Sequence, residues 1–201
     1  MDLYLARHGE TSYNKQGRTQ GHYDARLTER GREQAQKLRD YLRDHDFEAI
    51  YASTLLRAYE TAEIVAEPHS IKPTAIRDLC EVDRGITTGM TYTEAEQVIE
   101  ERDETFLDDY DEATGRFRPR LGEDHHDLQE RVVPAIQRLI RRNQNDFLIV
   151  AHGWVNRVYL ASLKGISVAE AGNIPQDNCC INIIDPETDD IRVENYTEHM
   201  Q

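Results

Sequence analysis

Leu3-Tyr4-Leu5-Ala6-Arg7-His8-Gly9-Glu10-Thr11 and, far downstream, Phe147-Leu148-Ile149-Val150-Ala151-His152-Gly153 share one design. Each begins as a short apolar run of strand length and stops at a histidine followed by glycine. In open α/β sheets ligands sit beyond the carboxyl ends of the strands, so Arg7, His8 and His152 fall where a pocket is expected. One histidine at a strand end is commonly structural, and Arg7 alone could be half of a surface ion pair. Two such units in one chain point to a shared site.

Between and after these strands the pattern alternates. Thr28 is a plausible N-cap, and Ala35, Leu38 and Leu42 at helical spacing predict a helix to about Asp44. Glu48 to Ala52 reads as a strand, and Ser53 can cap a helix over Thr54 to Glu67, ahead of Pro68. Arg57 then lies at the first turn, where unpaired N–H groups and the helix dipole attract anions and a guanidinium adds a two-pronged donor. The alternative for Arg57 is a pair with Glu60 or another nearby carboxylate. A strand over Thr74 to Leu79 leads to Glu81. A helix over Asp127 to Arg142 is amphipathic through Leu128, Val132, Ile136, Leu139 and Ile140, and Pro134 should kink it or sit near a turn. Trp154 and Asn156 begin a helix to about Leu163, and a closing hairpin turns at Asp185-Pro186. Gln16 to Arg26 reads as a loop.

The 201 residues fit one domain. The balance of 24 basic and 38 acidic residues, net −14, argues against nucleic acid or an anionic membrane as partner. No apolar stretch is long enough to span a bilayer, and Asp2 beside Met1 leaves no basic start for a signal peptide, so a cytoplasmic location is expected. Cys80, Cys179 and Cys180 lack metal-ligand spacing and read as reduced thiols. Only four of the basic residues are lysines, a surface compatible with a salt-adapted host. Ten acidic residues between Glu94 and Glu112, with Arg102 the one cation, predict a solvated helix pair or cap. Arg116, Arg118 and Arg120 then alternate between Gly115 and Gly122. They form either a loop that recognises a second anionic group or exposed cations paired with the acidic segment.

The set Arg7-His8-Gly9-Glu10-Thr11 with Asn14, Arg57 in Ser-x-x-x-Arg-Ala-x-x-Thr-Ala, Glu81, and His152-Gly153 resembles the histidine phosphatase (phosphoglycerate-mutase-like) superfamily. The resemblance runs from about Leu3 to Ile184 in family order. It implies a three-layer α/β/α sandwich with a mostly parallel central sheet, a single domain over 1–201, and residues 85–125 as a cap or lid insertion. By resemblance His8 attacks phosphorus, Arg7, Arg57 and His152 hold the phosphoryl oxygens, and Glu81 protonates the leaving oxygen. Asn14, Gln20, Gly21, Arg118 and Gly153 are implied substrate contacts, although Gln20 could equally be a solvated loop residue. Arg118 and Arg157 match positions in the fructose-2,6-bisphosphatase branch. Gly153 replaces the glutamine common there, Arg26 stands where the family's loop usually has proline, and aromatic residues common at Arg84 and Thr87 are missing.

The expected activity is phosphomonoester hydrolysis of a small phosphorylated metabolite through phosphohistidine. Neutral imidazole is a competent nucleophile near pH 7, and two arginines with His152 supply the charge that a metal gives elsewhere. No cofactor and no metal are expected, and any assembly would be a homodimer. A 2,3-bisphosphoglycerate-dependent mutase and a non-catalytic phosphate-binding module are the alternatives.

Overall fold

A computed structural model of the chain describes all residues except 102, 104 and 112–115, and for 109–111 and 116 the backbone alone. Arg102, Gly115 and the Arg116 side chain therefore lie outside the described residues. The main sheet has six strands, β1 (Leu3–Arg7), β2 (Ala49–Ser53), β3 (Thr74–Ile76), β6 (Phe147–Ala151), β7 (Ile181–Asp185) and β8 (Asp190–Tyr196), in the order β3-β2-β6-β1-β7-β8. The β3-β2-β6-β1 portion is parallel, while β7 and β8 run antiparallel, so the sheet is mostly parallel as expected.

Strands buried on both faces need helices on both faces. Alternate residues of β1 divide accordingly. Leu3 and Leu5 enter one core with Phe147 and Ile149, against Leu128, Val132 and Ile136 of α5 (His125–Arg142) and Val155 and Val158 of α6 (Gly153–Lys164). Tyr4 and Ala6 enter the other with Leu148 and Val150, against Ala35, Leu38 and Leu42 of α2 (Glu29–Leu42) and Ala58, Ala62 and Val65 of α3 (Leu56–Ala66). Three layers follow from this two-sided apolar pattern.

Several expectations needed correction. Asn14 belongs to a short helix, α1 (Ser12–Lys15), capped by Thr11 and not foreseen. Ser53 does not cap α3: its hydroxyl accepts from the Leu55 amide, and the helix starts two residues later than predicted, at Leu56. The acidic stretch forms one helix, α4 (Tyr92–Glu100), then a hairpin of β4 (Leu107–Asp111) and β5 (Arg116–Pro119) outside the main sheet, instead of a helix pair. The Thr91/Glu94 capping box starts α4, and Leu107, Tyr110 and Phe117 favour strand over a second helix. Pro134 sits inside a continuous α5.

Candidate active site

The register of β1 with β6 pairs Arg7 with Ala151, so the next residues, His8 and His152, emerge side by side. Their ring centroids lie 5.2 Å apart with planes at 62°, an edge contact. The His8 amide donates to Ala151 O at 3.1 Å, which locks the two strand ends together. β2, on the far side of β6, feeds α3, whose Arg57 is fully buried and donates from Nε to His8 Nε2 at 3.3 Å. The same guanidinium holds the loop after α1, donating to Gly21 O and Tyr23 O, both at 2.9 Å. Gly21 has φ +50°, and a Cβ there would sit 2.7 Å from the Arg84 amide nitrogen, so the backbone path needs glycine.

The His8 Nδ1 lies 2.7 Å from Gly9 O, and a carbonyl only accepts, so Nδ1 carries the hydrogen. Nε2 is left with its lone pair, which accepts from Arg57 Nε. Burial, and then Arg57 and Arg7, hold the His8 pKa well below its usual value, so the ring is neutral at pH 7. Burial followed by Arg57 and His8 depresses His152 likewise. Burial lowers Arg57 to about 10, against the raising effect of the Glu81 and Asp24 carboxylates, and it stays cationic. Three buried nitrogens at this point have no hydrogen-bond partner: Arg7 Nε, His152 Nδ1 and His152 Nε2. Orphaned buried nitrogens beside two guanidiniums are what an oxyanion would satisfy.

Glu81 lies across the cavity, with Oε1 accepting from the Val82 amide at 2.9 Å and Oε2 from the Trp154 amide at 3.2 Å, inside the first turn of α6. Behind it Arg131 of α5 donates to Asp78 O, Cys80 O and Glu81 O, and pairs with Glu123 at 2.8 Å. Asn14 Oδ1 accepts from the Thr11 amide and from Asn178 Nδ2, and Gln20 Oε1 accepts from Thr11 Oγ1. Both amides are therefore oriented with their NH₂ groups left over.

A cavity of about 440 Å³ is lined by Arg7, His8, Asn14, Gln20, Gly21, Arg57, Glu81 and Gly153, eight of the ten residues singled out from the sequence. His152 lies fully buried behind that wall. Arg118 is elsewhere: on the β4–β5 hairpin its Nη2 donates to Asp127 at 2.7 Å and lies 3.7 Å from Asp124, at the start of α5. The structure does not bring Arg118 into this cavity; what it contains is the alternative, pairing with acidic neighbours. Arg18, Thr19, Arg84, Tyr92, Glu96, Trp154 and Arg157 complete the wall. Of these Arg157 was noted as matching a family position and Arg84 only as a departure from one; Arg84 and Trp154 carried a signal in directly following Glu81-Val82-Asp83 and His152-Gly153. A second cavity of about 410 Å³ adjoins the first and shares Thr19, Arg84, Tyr92, Glu96 and Trp154. Among the described residues no group of acidic, histidine and cysteine side chains is arranged to hold a metal.

The sequence pattern of the histidine phosphatase superfamily (branch 1) matches residues 3–199. A 6-phosphofructo-2-kinase/fructose-2,6-bisphosphatase of Gallus gallus is 36% identical over 161 residues, 79% of this chain but only 32% of that longer protein. Phosphoserine phosphatase 1 of Hydrogenobacter thermophilus is 30% identical over 93% of this chain and 87% of its own length. Among solved structures, Bacillus stearothermophilus YhfR superposes with a TM-score of 0.86 at 33% identity, covering 100% of this chain and 99% of its own.

Proposed function

The chain belongs to the histidine phosphatase superfamily (branch 1), and from that premise we propose that it hydrolyses a small phosphomonoester through a phosphohistidine formed on His8. That it is a phosphatase of small phosphorylated metabolites accords with its phosphoserine phosphatase relative. The observation that carries the mechanism is the convergence of a neutral His8, which lines the cavity and keeps a lone pair on Nε2, with the unpartnered Arg7 Nε and both unpartnered nitrogens of His152.

The phosphoryl dianion enters with its oxygens toward Arg7, Arg57 and His152, with the Asn14 and Gln20 amides as neutral donors. Arg57 Nε turns from His8 Nε2 to a phosphoryl oxygen. Nε2 attacks in line and forms the P–N bond while the P–O bond to the leaving alcohol breaks, and Glu81 gives that oxygen its proton. Gly9 O stabilises the positive charge that develops on the ring through the Nδ1–H bond. Water then attacks phosphorus, its proton returns to Glu81, and the P–N bond breaks. The segment 85–125, whose α4 supplies Tyr92 and Glu96 to the cavity, acts as its lid.

Rapid quenching during turnover should trap labelled phosphohistidine in the wild-type chain and none in His8→Ala. Failure to trap it in a protein that binds phosphate normally would leave a binding module instead. With 3-phosphoglycerate, release of inorganic phosphate without 2-phosphoglycerate is expected; the reverse would make the chain a mutase.

A further inference from the structure

We propose that Arg84 recognises a second anionic group on the departing alcohol, so that the preferred substrates are phosphomonoesters carrying a carboxylate or a second phosphate. This inference rests on the phosphomonoesterase reading and names the substrate class of that same site.

Arg84 follows Glu81 by three positions in one loop, and it stands where the two cavities meet, lining both. Glu81 is proposed to protonate the leaving oxygen, so a group on that alcohol passes Arg84. The other arginines on the cavity wall are tied down. Arg7 donates to Gln176 O, Arg18 to Gly89 O, Arg57 to Gly21 O and Arg157 to Ile174 O. The Arg84 guanidinium makes no hydrogen bond or ion pair with the described residues, and its Cζ lies 6.0 Å from the centre of the Trp154 ring. Its pKa is lowered by burial, with Glu81 the leading opposing charge. A half-buried cation that faces two cavities without a paired anion is one whose charge a ligand can complete.

Charge points the same way. Five arginines line the cavity against Glu81 and Glu96, so a single phosphoryl dianion leaves positive charge uncompensated. Beyond Arg84 the lining carries Ile99, Phe117 and Val168 together with Asp124 and His125 and no further arginine or lysine, so a second anion stops at the neck. The backbone at Arg84 is held rigidly between glycines: a Cβ at Gly122 would lie 3.2 Å from the Arg84 carbonyl carbon, and one at Gly21 2.7 Å from its nitrogen.

The test compares two matched pairs in the wild-type chain and in Arg84→Gln and Arg84→Lys. The pairs are 3-phosphoglycerate against glycerol 3-phosphate, and fructose 1,6-bisphosphate against fructose 6-phosphate. The wild-type kcat/KM ratio within at least one pair should favour the member carrying the second anionic group by about tenfold or more, as one charge-assisted hydrogen bond allows. Arg84→Gln should collapse that ratio toward one and Arg84→Lys restore part of it; the pair that collapses tells carboxylate from phosphate. A wild-type ratio near one in both pairs, or equal loss for both members in Arg84→Gln, overturns the proposal. If no compound releases phosphate, the phosphomonoesterase reading fails by itself. Calorimetric dissociation constants for the same four compounds then decide on Arg84, with unchanged ratios in Arg84→Gln counting against it.

Discussion

Two neutral histidines meeting where an anion is to bind set a clear proton requirement. In the unfolded chain each imidazole titrates near its reference value of about 6.5, whereas in the native chain both are held well below it. Below about pH 6.5 the unfolded chain takes up protons that the native chain does not, so stability is complete above that value and falls on acidification. It levels off only beneath the depressed native values. Thermal denaturation at pH 5.5 and 7.5 should show the lower midpoint at pH 5.5; equal midpoints would mean the rings are not neutral in the native chain. A bound dianion favours imidazolium, so orthophosphate binding should raise the pKa of His152. At pH 8, where phosphate is already mostly dianionic, calorimetry in buffers of different ionisation enthalpy should record proton uptake, and His152→Gln should abolish it. Gly153 is a second sensitive residue. A Cβ there would lie 3.3 Å from Arg157 Nη1 and 3.6 Å from Arg7 Nε, so Gly153→Ala should lower kcat/KM by displacing the cations more than it lowers stability.

The loop bearing Glu81 depends on α5, an element remote from it in sequence. Arg131 spans the three loop carbonyls of Asp78, Cys80 and Glu81 and the Glu123 carboxylate, and Glu123 in turn accepts from the Asp83 amide at 3.0 Å. A planar guanidinium can serve this fan of acceptors and an ammonium cannot. Arg131→Lys should therefore lower kcat far more than it changes KM, and most for poor leaving groups, the signature of a displaced general acid. Arg131→Ala should also cost about 2 kcal/mol of stability in urea titrations, because it removes the charged partner of a half-buried carboxylate and a donor from three loop carbonyls. If Arg131→Lys matches the wild type with poor leaving groups, the loop is held by other means. At the start of α2, the Thr28 hydroxyl accepts from the Gly31 amide at 3.0 Å, and Thr28→Ala should cost about 1 kcal/mol.

On the scale of the whole molecule the sheet is the frame that sets the histidine pair. Leu5 lies on β1 between β6 and β7 and is fully buried, so Leu5→Ala should cost about 3 kcal/mol by leaving a cavity. The net charge of −14 acts on the molecule as self-repulsion, so the melting temperature should rise from dilute buffer to molar KCl as screening increases. An unchanged melting temperature would show that the surface pairs already balance the field. No described helix is long and apolar enough to cross a membrane.

Local chemistry was enough to place most of the elements, and the family resemblance named the candidates that the fold brings to one cavity. The apolar runs ending at His8 and His152, the cap at Thr28 and the stripe on α5 are short-range patterns, and they read correctly because neighbouring residues alone encode them. The acidic stretch misled because charge marks exposure and not conformation; whether it continued as a helix or returned as β4 and β5 depended on cross-strand partners such as Tyr110 and Phe117. Arg118 is not on the wall around His8 because β5 brings it to Asp124 and Asp127 at the start of α5. Arg84 and Arg131 acquire their meaning from contacts with segments dozens of residues away. Sequence by itself determined which side chains could perform the chemistry. Tertiary structure alone decided which arginines were tied and which was left lining both cavities without a partner among the described residues, because that depends on where distant carbonyls and carboxylates come to rest.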